Sequence, residues 1–112
     1  MTEHNYRLPK SEILKSRRAF RQLFSSGNRI KGSIGQLIFL PNDSKKVAFV
    51  VGKRVGPSVT RNKLKRRMRE VYRHHKNAVP GGIMVLFQLF QQNNIPDYQA
   101  IESEFLKLCS KL

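Results

Sequence analysis

Apolar residues recur at helical spacing over residues 16–26 (SRRAFRQLFSS), where Ala19, Phe20, Leu23 and Phe24 share one face and Gly27-Asn28 ends the run. Residues 34–40 (IGQLIFL) read as a strand stopped by the turn cluster Pro41-Asn42-Asp43. Residues 46–52 (KVAFVVG) read as the next strand, and the short link between the two predicts a hairpin. Gly56-Pro57-Ser58 is punctuation before a helix predicted from about 58 to 76, with Ser58 or Thr60 as its cap. Pro80-Gly81-Gly82 breaks that helix. Residues 83–90 (IMVLFQLF) form a nearly continuous apolar run, the pattern of a central strand buried on both faces. After a loop at 91–96, residues 97–112 predict a last helix with Tyr98, Ile101, Phe105, Leu108 and Leu112 on one stripe. The order helix, strands, helix, strand, helix predicts an α+β fold, a single-domain α-β sandwich around one mixed sheet.

The 112 residues amount to one domain, 1–112, and the 39% hydrophobic content is enough for a core. No apolar run approaches the ~18 residues of a spanning helix. The first residues, MTEHNYRLPKSE, carry no apolar stretch behind their charges, so no secretory signal is expected and residues 1–8 are expected to be flexible. A single cysteine, Cys109, excludes an internal disulfide framework and points to a reducing, cytoplasmic setting.

Charge changes the picture most. Lys and Arg number 22 against 7 Asp and Glu, a net charge of +15. A domain this basic repels itself and is best matched to a polyanion, with nucleic acid ahead of an anionic membrane surface. Residues 53–76 hold ten basic side chains and one acid, whereas 77–112 hold two and three. The densest block therefore lies mid-chain, displayed on folded structure, and not in a tail.

On a helical wheel for 61–76, Leu64, Met68, Val71, Tyr72 and His75 fall on one side. Asn62, Lys65, Arg66, Arg69 and Arg73 fall on a neighbouring face, and Lys63 and Arg67 lie opposite the apolar stripe. Like charges stack at i, i+4 through Arg61, Lys65, Arg69 and Arg73, which is unfavourable in a free helix. A merely solvated face would mix signs. Arginine forks match phosphate oxygens, so a nucleic-acid backbone site is the better reading.

The string VGKRVGPSVTRNKLKRRMREVYR, residues 51–73, resembles the signature of the protein component of bacterial ribonuclease P. Arg61-Asn62, Lys65-Arg66 and Arg69 match that family's helix without a gap, Lys53-Arg54-Val55-Gly56 its preceding basic turn, and Phe20, Leu23, Phe24 and Gly27 its N-terminal element. The resemblance spans roughly residues 7 to 90. It implies an α-β sandwich of the ribosomal-protein type with a left-handed strand-helix-strand crossover, against the usual right-handed rule. It also implies an accessory subunit of a ribonucleoprotein endoribonuclease. A catalytic RNA and its bound Mg²⁺ ions remove the 5′ leader of precursor tRNA, and the protein is a monomer in a 1:1 complex with that RNA. By the same resemblance Lys53, Arg54, Arg61, Asn62, Lys65, Arg66, Arg69 and Arg73 bind the catalytic RNA. Phe20, Phe24, Arg17, Arg21, Gln36 and Ile38 bind the leader.

For Phe20 and Phe24 two readings stand side by side: core aromatics at helical spacing, or stacking platforms beside Arg17, Arg21 and Lys31 for single-stranded RNA. Family members place an aromatic residue on the first strand of the cleft. Here Gln36 and Ile38 take the aligned positions and Phe39 falls one residue on, so either the register shifts or that stacking partner is missing.

No protein-borne chemistry is expected. Glu102 and Glu104 diverge on a helix, Glu70 sits among cations as an ion-pair partner, His74 and His75 diverge, His4 lies near the flexible end, and Cys109 reads as packing. The competing functions are a structural ribosomal RNA-binding protein, a sequence-specific DNA binder and a membrane-active basic helix. A strand follows the basic helix, unlike a helix-turn-helix, and its apolar stripe is too narrow for a membrane surface.

Overall fold

The apolar run at 83–89 is the centre of a four-stranded sheet. In a computed structural model that describes residues 10–92 and 94–112, the chain builds α1 (Arg17–Ser26), β1 (Asn28–Lys31), β2 (Gly35–Pro41), β3 (Lys46–Val51), α2 (Ser58–His74), β4 (Ile83–Leu89) and α3 (Tyr98–Cys109). Short 3-10 turns lie at Lys10–Glu12, Lys53–Val55 and Lys76–Ala78. The expectation of flexibility for residues 1–8 falls outside the described residues.

The sheet order is β1-β2-β4-β3. β2 runs antiparallel to β1 and β4, and β3 runs parallel to β4 with α2 as the crossover. The predicted hairpin of β2 and β3 is therefore corrected: the chain does reverse between them, but β4 is inserted and the two strands do not pair. The cause is β4 itself. Its side chains are apolar on both sides, so it needs a neighbour on each edge and a layer on each face.

Alternation along the strands sorts the core into two. Leu37, Val47, Val51, Val85, Phe87 and Leu89 point to the α2–α3 side, where Leu64, Met68, Val71, Tyr72, Ile101, Phe105 and Leu108 meet them. Phe105 stacks obliquely on Phe87 at 5.3 Å between ring centres and meets Tyr72 edge-on. Ile38, Ala48, Met84 and Leu86 point to the other side, covered by Leu14, Ala19 and Leu23. The stripes predicted for α2 and α3 are the ones buried, with His75, Tyr98 and Leu112 half-buried at their margins, whereas the α1 stripe divides: Ala19 and Leu23 are buried, Phe20 is half-buried and Phe24 is exposed.

Two local readings differ from the sequence. β1, absent from the pattern because NRIK is polar and mostly exposed, exists through its pairing with β2. α2 has Pro57 as its N-cap and takes no side-chain cap from Ser58 or Thr60. The ring holds Pro57 at φ −67° and Ser58 is already the first helical residue. α1 and α3 do take side-chain caps, in which the Ser16 hydroxyl accepts from the Ala19 N–H (3.2 Å) and the Asp97 carboxylate from the Ala100 N–H (2.9 Å).

Ahead of α1 the chain clamps the free edge of β3. Ile13 pairs with Val47 in parallel, and the Leu14 N–H donates to the Val47 carbonyl (2.8 Å). The Lys46 ammonium donates to the Ser11 carbonyl, and the buried Tyr72 hydroxyl donates to Glu12 (2.7 Å).

The stripe on α2 makes a contrast that unfolding experiments can read. Leu64, fully buried, is expected to cost about 2–5 kcal/mol as Leu64→Ala. Its exposed neighbour Lys63 is expected to stay within about 0.5 kcal/mol as Lys63→Ala. Urea denaturation of the two variants measures the difference.

Candidate nucleic-acid interface

Docking α2 by one stripe leaves its other faces to solvent and to the edge of α3. Asn62, Lys63, Arg66 and Arg69 are exposed, and Lys65 is half-buried. The side chains of Lys65, Arg66 and Arg69 form no hydrogen bond or ion pair with any described residue. These three cations therefore stay uncompensated on successive turns.

The other basic residues of the helix are partly committed. Arg61 is half-buried and its Nε donates to the Gly56 carbonyl (3.1 Å), tying the basic turn to the helix start. Arg67, expected opposite the apolar stripe, is half-buried and donates to the Pro96 carbonyl (2.8 Å). It therefore anchors the loop before α3 instead of facing solvent. Arg73 pairs with Glu70 at 2.5 Å, and His74 lies 3.7 Å from the same carboxylate. Glu70 is thus the ion-pair partner its position predicts. His75 meets Glu102 at 2.7 Å and ties the end of α2 to α3.

Lys53 and Arg54 are exposed on the 3-10 turn where the chain leaves β3. With Gly52, Val55 and residues 88–91 they line an open cleft of about 430 Å³. Gln88 and Gln91 went unnoticed in the sequence, although a glutamine inside the run IMVLFQLF was the available signal. Lys45 also has a role no pattern shows, donating to the Lys76 and Val79 carbonyls (both 3.0 Å) below α2.

On the opposite side of the sheet, α1 presents a second surface. Phe20 is half-buried and Phe24 is 40% exposed. With Arg21 and Ser25 they form a shallow, mostly apolar cavity of about 590 Å³. Arg17 and Arg21 are exposed on the same helix, and Lys31 is exposed on β1. Both aromatics thus have accessible ring surface, while Ala19 and Leu23 do the core packing.

The β2 positions divide. Gln36 points to the α1 side and is 5% exposed, with its Nε2 donating to Gln88 Oε1 (2.8 Å). Its own Oε1 has no partner among the described residues. Ile38 is fully buried under α1, so it lies beneath this surface and not in it. Phe39 packs on the α2–α3 side, so β2 offers no aromatic ring to the α1 side.

The described acids are engaged elsewhere or apart. Glu12 accepts from Tyr72, Glu70 holds Arg73, Glu102 holds His75, and Glu104 caps a turn through the Ile34 and Gly35 N–H groups. Among the described residues no three His, Cys, Asp or Glu converge to hold a metal ion, and no helix is long and apolar enough to cross a membrane. Cys109 is buried among apolar side chains, and burial pushes its thiol up to about 12.

An α+β domain with uncompensated cations along one helix, and solvent-facing phenylalanines flanked by arginines on another, is an RNA-binding domain in its chemistry. The Ribonuclease P family model matches residues 8–112. The chain is 34% identical over 109 residues to the ribonuclease P protein component of Petrotoga mobilis, covering 92% of each chain. It is 38% identical over 101 residues to that of Natranaerobius thermophilus, covering 88% of this chain and 87% of the relative. The solved ribonuclease P protein of Thermotoga maritima superposes with a TM-score of 0.79 at 26% identity, covering 90% of this chain and 97% of that one. The chain belongs to the bacterial ribonuclease P protein family.

Two outcomes follow from the side chains. Arg66→Ala and Arg69→Ala are each expected to weaken RNA binding by about 1.5–3 kcal/mol and to leave the melting temperature unchanged, which filter binding and thermal scans would check together. Cys109 is expected to resist alkylation in the native protein. Because its folded thiol titrates near 12 and an unfolded one near 8.5, stability is expected to fall as pH rises through that window. Alkylation rates and denaturation midpoints across that pH range measure both.

Proposed function

We propose that the protein serves ribonuclease P as its RNA-binding subunit, holding the catalytic RNA through α2 and the preceding basic turn, and the 5′ leader of precursor tRNA through α1. The observation that carries the reading is the row of uncompensated cations Lys65, Arg66 and Arg69, on a helix whose opposite stripe is fully buried. A stretch of phosphates would supply the missing countercharge, and release of its condensed cations would drive binding. Asn62, Arg61 and Arg73 flank the row, and Lys53 and Arg54 extend it around the start of the helix.

The second surface suits a different part of the substrate. Phe24 and the open side of Phe20 offer ring faces to unpaired bases, with Arg17 and Arg21 beside them for the backbone. Gln36 and Gln88 pair their amides on the same side of the sheet as α1, with Gln88 lining the cleft beside Lys53 and Arg54. Ile38 lies buried beneath α1.

In this reading the protein contributes binding and placement, and the reaction is leader hydrolysis on the RNA in a 1:1 ribonucleoprotein. The Mg²⁺ ions belong to the RNA. The described residues do not fit a Mg²⁺ site, since their carboxylates are paired or scattered and the net charge of the chain is +15. Neutralising phosphates near the cleavage junction would lower the Mg²⁺ concentration the RNA needs. A cytoplasmic location goes with that role.

Reconstitution with the catalytic RNA and a leader-length series of precursor tRNAs tests the reading. Phe24→Ala is expected to cost about 1–3 kcal/mol of affinity, with leader-bearing substrates only; mature tRNA should bind as it does to wild type. With five phosphate contacts, log affinity for the catalytic RNA should fall against log salt with a slope of about −4. Equal losses at every leader length, or a slope near zero, would refute the corresponding surface.

A further inference from the structure

α3 packs on the face of the sheet opposite α1, yet one of its side chains reaches the turn that follows β1. Glu104 is 5% exposed. Its Oε2 accepts from the backbone N–H groups of Ile34 (2.8 Å) and Gly35 (3.0 Å), and its Oε1 accepts, at longer range, from the Ser33 hydroxyl (3.4 Å). It forms no ion pair with any described residue. Backbone donors at the β1–β2 turn therefore hold this carboxylate. The turn is built around it: a Cβ at Gly32 would fall directly on the Glu104 carboxylate, and the Gly32 N–H closes the turn on the Gly35 carbonyl (2.8 Å).

That turn governs where β1 lies. β1 is four residues long, stands at the sheet edge, pairs with β2 alone and is mostly exposed. A strand with so little burial takes its position from its ends and its hydrogen bonds. From inside β1, Arg29 Nη2 donates to the Phe24 carbonyl (2.7 Å), one of the last carbonyls of α1. A continuous set of contacts thus runs from α3 through Glu104, the turn, β1 and Arg29 to Phe24.

We propose that Glu104 is a positioning residue for the leader-binding face. It would touch no RNA itself and set the placement of β1 and the end of α1 from the far side of the sheet. This rests on the reading of Phe20 and Phe24 as the leader platform. The chemistry separates two substitutions. In Glu104→Gln the amide oxygen can take the place of Oε2 and the amide N–H can donate to the Ser33 hydroxyl. In Glu104→Ala the Ile34 and Gly35 N–H groups lose their acceptor.

The experiment reconstitutes the holoenzyme with each variant and measures affinity for mature tRNA, for precursor tRNAs of increasing leader length and for the catalytic RNA. Amide resonances of Phe20 and Phe24 are recorded in the free proteins alongside melting temperatures. Glu104→Ala is expected to lose about threefold to tenfold in affinity for leader-bearing substrates only, and to shift the Phe20 and Phe24 resonances. Glu104→Gln is expected to restore both. Gly32→Ala, which keeps the carboxylate but drives it off the turn, runs in the same series and decides the matter if Glu104→Ala is too unstable to assemble. An equal loss with mature tRNA, no loss at all, or unmoved Phe20 and Phe24 resonances would overturn the proposal. A wild-type holoenzyme indifferent to leader length would overturn the functional reading instead, and the resonance comparison would still decide whether Glu104 places α1.

Discussion

Everything in this fold depends on keeping β4 dry on both faces. Six apolar side chains among the seven residues of β4, pointing to either side, need strands at both edges and helices on both surfaces. The chain supplies them with very little material: one short helix on one side, two helices on the other. Having spent its buried stripe on that task, α2 leaves one large apolar side chain in solvent, Val59 in its first turn. The rest of its outer surface is polar and mostly charged. The candidate RNA-binding face of the helix is thus the complement of its packing face, and the two are inseparable in the sequence.

The same constraint explains why the two candidate RNA surfaces differ in character. The α2–α3 side is thickly covered, with Tyr72, Phe87 and Phe105 interlocked beneath, so its outer surface is rigid and suits a fixed array of phosphates. The α1 side is thinly covered by a ten-residue helix. There Ala19 and Leu23 close the core, while Phe20 and Phe24 have accessible ring surface over an open cavity. A thin layer over a sheet is a natural place for a flexible single strand.

Much of this was legible in the residues. Helical stripes such as Leu64, Met68, Val71 and Tyr72 announce themselves because burial and periodicity are the same fact. The central strand was legible because a two-faced apolar run has few other uses. The insertion of β4 between β2 and β3 was not, because adjacency in a sheet is decided by which strand most needs the middle, a comparison between distant segments that local turns do not encode. β1 was invisible because its existence depends on a partner strand and not on its own side chains. At the candidate site, the basic helix and the two phenylalanines stood out by composition and spacing. The burial of Ile38, the turn of Arg67 toward Pro96 and the amide pair of Gln36 and Gln88 are three-dimensional outcomes of strand alternation and helix rotation that no single segment displays.

The clamp of residues 11–14 on β3 carries a consequence for the protein before it meets RNA. A sheet with a bare edge is a template for pairing with other chains. Here one edge is capped by the chain's own Ile13 and Leu14, and the other is a four-residue strand bearing Arg29 and Lys31. Neither side invites a second sheet to add on, and the net charge of +15 makes copies repel one another. The chain's own residues 11–14 thus guard the β3 edge against strand addition by another copy.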